Sequence, residues 1–406
     1  MRILLVDDEP MVLRALYRTI LSRWPAWEVI TASSGEQAVE LLSHTPFHLV
    51  MTDMQMPGLD GTAVLKACLH HQPDAIRMVL SGHTPLQRIL ETEGWYHRFL
   101  TKPIEPQRQL AILAILANLN LDDLDVENLL TRHLVTSLER IPSLPKYVAA
   151  LRALLDQPDP DLGAMGQVVG QDIGLAMTIL KLVNSAYLAA GRPITDLQQA
   201  VAFLGVSNLR ELLEQRGQRM APTEALAAGL DLEGVWAHSQ EVAQRASTWV
   251  LAATGDAALA AEAYSVGLLH DVGVVVLATS PVLHYGEILQ MIVREGESML
   301  SQERKALGTD HCRVGAALLS LWALPETFGA VVRAHHCEHL EAHSSMVSLA
   351  IYAAHFRPGR AQAPNLFFDG ARLASNSVPF TQTLSLEAHW ERLLAQWQQA
   401  QPGSTP

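Results

Sequence analysis

Residues 47–58 read FHLVMTDMQMPG. An apolar run without polar alternation stops at Asp53, and Pro57-Gly58 follow four residues later. Such a run suits a strand buried on both faces, as in a parallel sheet covered by helices. Three further runs share the design. RILLVDDEP at 2–10 ends in Asp7-Asp8, IRMVLSGH at 76–83 ends in Ser81, and YHRFLTKP at 96–103 ends in Lys102 before Pro103. With strands placed at 3–6, 28–31, 49–52, 76–80 and 98–100, and helical patterns between them as at 11–22 and 35–43, residues 1–117 are expected to form an α/β doubly wound five-stranded parallel sheet.

Ligands of such open sheets gather beyond the carboxyl ends of the strands. Asp7, Asp8, Asp53, Ser81 and Lys102 all stand at such ends, so one shared pocket is expected. Its chemistry suits transfer of a phosphoryl group to a carboxylate. That reaction needs an ionised nucleophile, a divalent cation to offset negative charge, and fixed donors for the transferred oxygens. Asp53 is the expected phosphoacceptor. Asp7, Asp8, Asp53 and the backbone carbonyl of Gln55 are the expected Mg²⁺ ligands. Lys102 pairs with Asp53 and later with the phosphoryl group, and Ser81 donates to a phosphoryl oxygen. Taken singly, an Asp pair reads as a turn or helix cap and Lys-Pro as a strand terminator. All of them in order over one sheet read as a site.

On these residues the amino-terminal stretch resembles the flavodoxin-like receiver domain of two-component response regulators. The resemblance implies phosphotransfer from a histidine kinase. It also places Phe99 at the family's aromatic switch position, so that Ser81 moves inward and Phe99 rotates on phosphorylation. A phenylalanine on a strand is also ordinary core.

At 406 residues the chain has room for two or three domains, and 49% hydrophobic with 17% charged residues describes a folded chain. A net charge of −13 disfavours non-specific binding to nucleic acid or an anionic membrane. Arg210, Arg216 and Arg219 form a loose basic group that reads as a solvated helix face. The scattered Cys68, Cys312 and Cys337 make no disulfide framework and suit a reducing cytoplasm. The apolar stretches 110–119 and 272–278 are shorter than the ~20 residues of a membrane span. A cytoplasmic protein without membrane association or DNA binding is the expectation.

Beyond the first domain, a helix over 107–118 leads into a helical linker at 118–130. Residues 131–356 have helical periodicity broken by Pro and Gly, so an all-α domain is expected. Residues 357–406 form an extension with one helix near 384–399 and a frayed end. Most histidines fall in the second domain: His238, His270 beside Asp271, His311, and His335-His336. Imidazole and carboxylate on helices suit Zn, Mn or Fe. Neighbours on a helix project about 100° apart, so His270 and Asp271 share an ion only near a helix end or where outside ligands converge on them.

The segments LERIPSLPKYVAALRALL, DIGLAMTILKLVNSAYLAAGRPITDLQQAVAFLGVSNLREL, GLLHDVG and DHCRVGAALLSLWALPE, in that order, resemble the HDOD branch of the HD superfamily of metal-dependent phosphohydrolases. The resemblance implies a helical signalling or interaction module. Against the active phosphodiesterase pattern, Val274 stands where a lysine is expected and Ile351 where a second carboxylate is expected, so the hydrolase site reads as incomplete. With Asp271 alone, two divalent cations would leave about +3 in the site. Buried structural histidines are therefore the first reading, a single transition metal the second and an enzyme the third.

The sequence thus predicts a bacterial response regulator. A cognate histidine kinase phosphorylates Asp53, and the HDOD domain answers by binding unidentified signalling proteins or changing self-association into a homodimer. The alternatives are a receiver-controlled metal-dependent phosphodiesterase acting on a cyclic nucleotide or dinucleotide, and a non-catalytic nucleotide-sensing module.

Overall fold

A computed structural model describes residues 1–82, 86–103, 110, 112–114, 126–185, 193–217, 230–295, 297–337, 345–355 and 386–400. The expected helix over 107–118, most of the linker, Arg219 and the extension before 386 lie outside the described residues, save for a few positions.

Five strands, β1 (Arg2–Val6), β2 (Glu28–Ala32), β3 (Leu49–Asp53), β4 (Ile76–Ser81) and β5 (Arg98–Thr101), form one parallel sheet in the order β2-β1-β3-β4-β5. Every residue of β3 and β4 is buried, as their unbroken apolar runs require. Helices α1 (Pro10–Arg23), α2 (Gly35–His44), α3 (Gly61–His71) and α4 (Leu86–Glu91) connect the strands. The starts are chemically marked: Pro10 opens α1, Ser34 accepts from Gln37 N ahead of α2, and Asp60 accepts from Ala63 N ahead of α3. Each expected strand is present, within a residue of its expected limits.

Among the described residues no strand follows Thr101. Helix α5 (Val126–Ser137) is no free linker, because its carboxyl end is bonded to the first domain. Arg77 Nη2 donates to Thr136 O at 2.9 Å, and His97 Nε2 lies 3.0 Å from the same oxygen. The helical domain continues through α6 (Pro145–Leu155), α7 (Leu162–Val169), α8 (Ile173–Asn184), α9 (Leu197–Gly217), α10 (Leu232–Thr254), α11 (Ala257–Leu269), α12 (Val272–Thr279), α13 (Tyr285–Glu295), α14 (Met299–Leu307), α15 (His311–Leu321), α16 (Glu326–Ala334), α17 (Met346–His355) and α18 (Leu386–Ala400). Helix α9 is broken at Gly205, whose φ of 72° favours glycine. Asn184, the last residue of α8, exchanges two 2.8 Å hydrogen bonds with Ile194. Trp236 and Trp322 are core, and Trp249 stacks on Trp390.

The stretch Ala257–Thr279 does reach the length and composition of a membrane span, although its shorter apolar piece reads as too brief in sequence. It is interrupted at His270-Asp271, and 78% of its apolar window is buried in the helical core.

One apolar cluster runs continuously from one face of the sheet into the helical domain. The contact is polar at its rim. Arg98 of β5 donates to Leu321 O at 3.1 Å and to Ser320 O, at the carboxyl end of α15. Lys181 of the wholly buried α8 reaches Tyr96 O at 3.1 Å, lies 3.9 Å from Glu93, and sits over the Tyr96 and Trp322 rings.

Candidate functional site

The carboxyl ends of β1, β3, β4 and β5 converge as expected. Asp7 and Asp53 are buried, Asp8 is exposed beside them, and ligand oxygens of all three lie within 4.8 Å of one another. Lys102 Nζ lies 2.6 Å from both Asp7 Oδ2 and Asp53 Oδ2. Backbone amides hold the acids in place, Glu9 N on Asp7 Oδ1 at 3.0 Å and Gln55 N on Asp53 Oδ1 at 3.3 Å. Burial raises the Asp7 pKa, and hydrogen bonding to Lys102 and Glu9 only partly offsets it. Burial works to lower the Lys102 pKa, but Asp53 and Asp7 outweigh it and hold the ammonium charged. Ser81 is buried at the end of β4, and its carbonyl accepts from Lys102 N at 2.7 Å. Phe99 is buried in β5 with its ring edge-on to Tyr96 at 6.0 Å. It therefore points into the core beside the interdomain contact made by Tyr96.

The second cluster forms where α10, the α11–α12 junction, α15, α16 and α17 meet. His270 and Asp271 occupy that junction, the helix end their pairing demands. Gly273 permits it, since a Cβ there would lie 1.9 Å from His311 O. Asp271 bridges two sets of rings. Its Oδ2 lies 3.2 Å from His270 Nε2 and 3.6 Å from His238 Nε2, while its Oδ1 lies 3.2 Å from His335 Nε2 and 3.9 Å from His311 Nε2. His336 sits at the rim, 4.3 Å from the His335 ring and 4.5 Å from the His355 ring between centroids.

Burial holds His336 and His355 well below the ordinary imidazole range, whereas Glu303 and Cys312 push His311 well above it against burial. Burial raises the Asp271 pKa, but His270 and His335 outweigh it and hold the carboxyl well below its ordinary range. Burial likewise opposes protonation of His335, yet Cys312 and Asp271 push it up to about 10. Burial raises the Cys312 thiol, and His335 and His311 bring it down to about 7.

A family model for the response regulator receiver domain matches residues 3–114, and one for the HDOD domain matches residues 141–338. The chain is a receiver–HDOD response regulator. An uncharacterized protein of Treponema pallidum is 27% identical over 237 residues, 57% of this chain and 44% of that protein. The hydrogenase transcriptional regulatory protein HoxA of Cupriavidus necator is 34% identical over 106 residues, 26% of this chain and 21% of its own length. The chain thus spans less than half the length of these two curated relatives. Among solved structures, the MmoQ response regulator of Methylococcus capsulatus is 22% identical, with a TM-score of 0.48 over 64% of this chain and 97% of that one. An HDOD domain protein of Geobacter sulfurreducens is 26% identical, with a TM-score of 0.32 over 57% and 78%.

Three groups in the HDOD domain escaped the sequence reading. Ile351, read as the vacant carboxylate position, is fully buried apolar core against Gly267. His355, one turn further along α17, enters the cluster instead, with Nδ1 3.1 Å from His238 Nε2 and 3.2 Å from His270 Nε2. Glu303 is buried and accepts from Tyr285 Oη at 2.5 Å, His311 N at 2.9 Å and His311 Nδ1 at 2.6 Å. Cys312 Sγ lies 3.8 Å from His335 Nδ1. Asp271 is therefore not the only acidic group here, and charge alone does not argue against a bound cation. Val274 is core, as its side chain dictates.

Proposed function

We propose that Asp53 accepts a phosphoryl group from a histidine kinase with Mg²⁺ held by Asp7, Asp8, Asp53 and the Gln55 carbonyl. The observation that carries this is the convergence of three carboxylates with Lys102 Nζ 2.6 Å from two of them. In this reading the cation neutralises the acids as phosphate arrives, and Lys102 shifts from the carboxylates to a phosphoryl oxygen. Ser81 donates to another. The reaction needs no activated water, so the protein contributes charge placement and geometry.

Phosphorylation then acts on the join between the domains. Phe99 lies within β5 and Lys102 directly follows it, the strand whose Arg98 grips the end of α15. Drawing Lys102 toward phosphate moves the strand end, and Arg98 carries that movement to the HDOD domain. The output is a change in what the HDOD domain binds, whether a signalling protein or a second copy of the chain, in a soluble cytoplasmic setting. A hydrolase or nucleotide sensor is not the favoured output, because Val274 and Ile351 are both apolar core.

The test is phosphorylation of the full chain by acetyl phosphate with Mg²⁺. Incorporation at Asp53, lost in Asp53→Asn and on chelation, is the expected result. A chain that takes no phosphate under these conditions refutes the reading.

A further inference from the structure

We propose that the join between the receiver and the HDOD domain opens and closes reversibly in the unphosphorylated chain, because three polar atoms sealed within it, Tyr96 Oη, Glu93 Oε1 and Trp322 Nε1, find partners only when water reaches them.

The stretch between α4 and β5 makes one side of this join, and α8 with the end of α15 makes the other. Glu93, Tyr96, Lys181 and Trp322 are all buried there. Among the described residues, Tyr96 Oη, Glu93 Oε1 and Trp322 Nε1 have no hydrogen-bond partner. Lys181 stands among them without relieving them. Its Nζ donates to Tyr96 O at 3.1 Å, lies 4.4 Å and 5.0 Å from the centres of the Trp322 and Tyr96 rings, and is 3.9 Å from Glu93 Oε1. At that last distance the two groups attract but share no hydrogen bond. Burial, with Glu93 beside it, raises the Tyr96 pKa, so the hydroxyl keeps its proton and remains a donor with no acceptor.

Side chains of this kind suit a face that is wet part of the time. A tyrosine hydroxyl or an indole N–H that is buried for good usually has a partner. The HDOD core follows that rule: Trp236 Nε1 donates to Asp172 Oδ2 at 2.9 Å, Tyr285 Oη to Glu303 at 2.5 Å and Tyr264 Oη to Gly170 O at 3.0 Å. Tyr96 and Trp322 depart from it, and both meet Lys181 at the join. A permanently dry contact would be served better by phenylalanine, which buries a ring and no donor.

Opposing forces therefore meet in one place. Closing is driven by the apolar cluster that runs through the join and by the hold of Arg98 on Leu321 O at 3.1 Å. It is opposed by the unpaired atoms, each of which lowers the closing equilibrium by roughly 5- to 100-fold, and by more where the group is a carboxylate. The closed form is favoured but shallow, so the join opens as a unit at a lower free energy than either domain unfolds. Opening exposes the α4–β5 stretch, the last turn of α8 and the end of α15 together. No phosphate is required, so the inference stands apart from phosphorylation at Asp53.

The test is hydrogen exchange of the full-length, unphosphorylated chain. In the wild type, amides of β5 and of the last turns of α8 and α15 are expected to exchange ~10-fold or more faster than those of β1. Tyr96→Phe and Trp322→Phe each remove an unpaired group and keep an aromatic ring. Each is expected to raise protection at the join by ~5- to 100-fold and to leave β1 unchanged. Tyr264→Phe, which removes a paired hydroxyl far from the join in sequence, does not raise it. Circular dichroism establishes that each variant is folded, and where the smaller ring of Trp322→Phe leaves it unfolded, Tyr96→Phe carries the test. Wild-type exchange at the join as slow as in β1 would overturn the proposal. So would protection that is unchanged, lowered or lost with the fold in Tyr96→Phe, because the hydroxyl would then have a partner, such as a bound water, in the closed form.

Discussion

Replacing Arg98 with methionine keeps its apolar stem and removes the guanidinium that joins the domains. Two opposing effects set the outcome. Burial pushes the Arg98 pKa down to about 10, a desolvation cost of about 3 kcal/mol at ~1.4 kcal/mol per tenfold in proton affinity. Against this stand two hydrogen bonds from a charged donor, to Leu321 O at 3.1 Å and to Ser320 O, worth roughly 1.5–3 kcal/mol each. The cation also faces the negative end of α15, which adds roughly 0.3–1 kcal/mol. At mid-range the balance leaves Arg98 holding the domains together by roughly 2 kcal/mol. Hydrogen exchange of the full chain reads this directly. Arg98→Met lowers amide protection in β5 and the last turn of α15 by ~5- to 100-fold, since ~1.4 kcal/mol is tenfold, and leaves β1 protected as before. Arg98→Glu does more, because it sets a buried carboxylate against two carbonyl oxygens at a helix carboxyl end. A cost beyond about 4 kcal/mol separates the domains. Protection unchanged within twofold in Arg98→Met, together with a docked Arg98→Glu, would show that apolar contact alone joins the domains.

Three other outcomes are expected. His97 Nδ1 accepts from Arg77 N at 2.9 Å and its Nε2 faces Thr136 O, so the folded ring is neutral; burial, with Arg77 and Lys181, holds its pKa well below 6.5. The unfolded ring gains its proton near pH 6.5 while the folded ring does not, so stability is lost as pH falls, by up to ~1.4 kcal/mol per pH unit. Urea melts between pH 7 and 5 check this, and His97→Gln has the shallower slope. Gly273→Ala drives a Cβ to 1.9 Å from His311 O, which backbone must yield to accommodate, at ~1–3 kcal/mol or more. A urea midpoint unmoved by that substitution contradicts the close approach of α12 to α15. Asn184→Ala removes both bonds to Ile194 and one to Leu180 O at 3.0 Å, a loss of ~1–3 kcal/mol by the same measurement.

The sequence by itself determined the receiver and its pocket. Apolar runs ending in Asp7-Asp8, Asp53, Ser81 and Lys102 could pair only as parallel strands under helices, and such a sheet places all its strand ends on one side. Covalent order thus dictated which side chains meet. The sequence also narrowed how His270 and Asp271 could act together, to a helix end or to ligands converging from outside, because neighbours on a continuous helix diverge. Only the tertiary structure decided that His355, and not the residue at Ile351, enters the histidine cluster. One turn separates the two, and the packing of α17 against Gly267 chooses which faces the cluster. Glu303 was equally hidden, because its partner His311 lies eight residues away across the bend from α14 to α15. The docking of β5 on α8 and α15 left the least trace, since Arg98 and Lys181 grip backbone carbonyls. Every residue carries a carbonyl, so only the fold specifies which ones a buried cation will find.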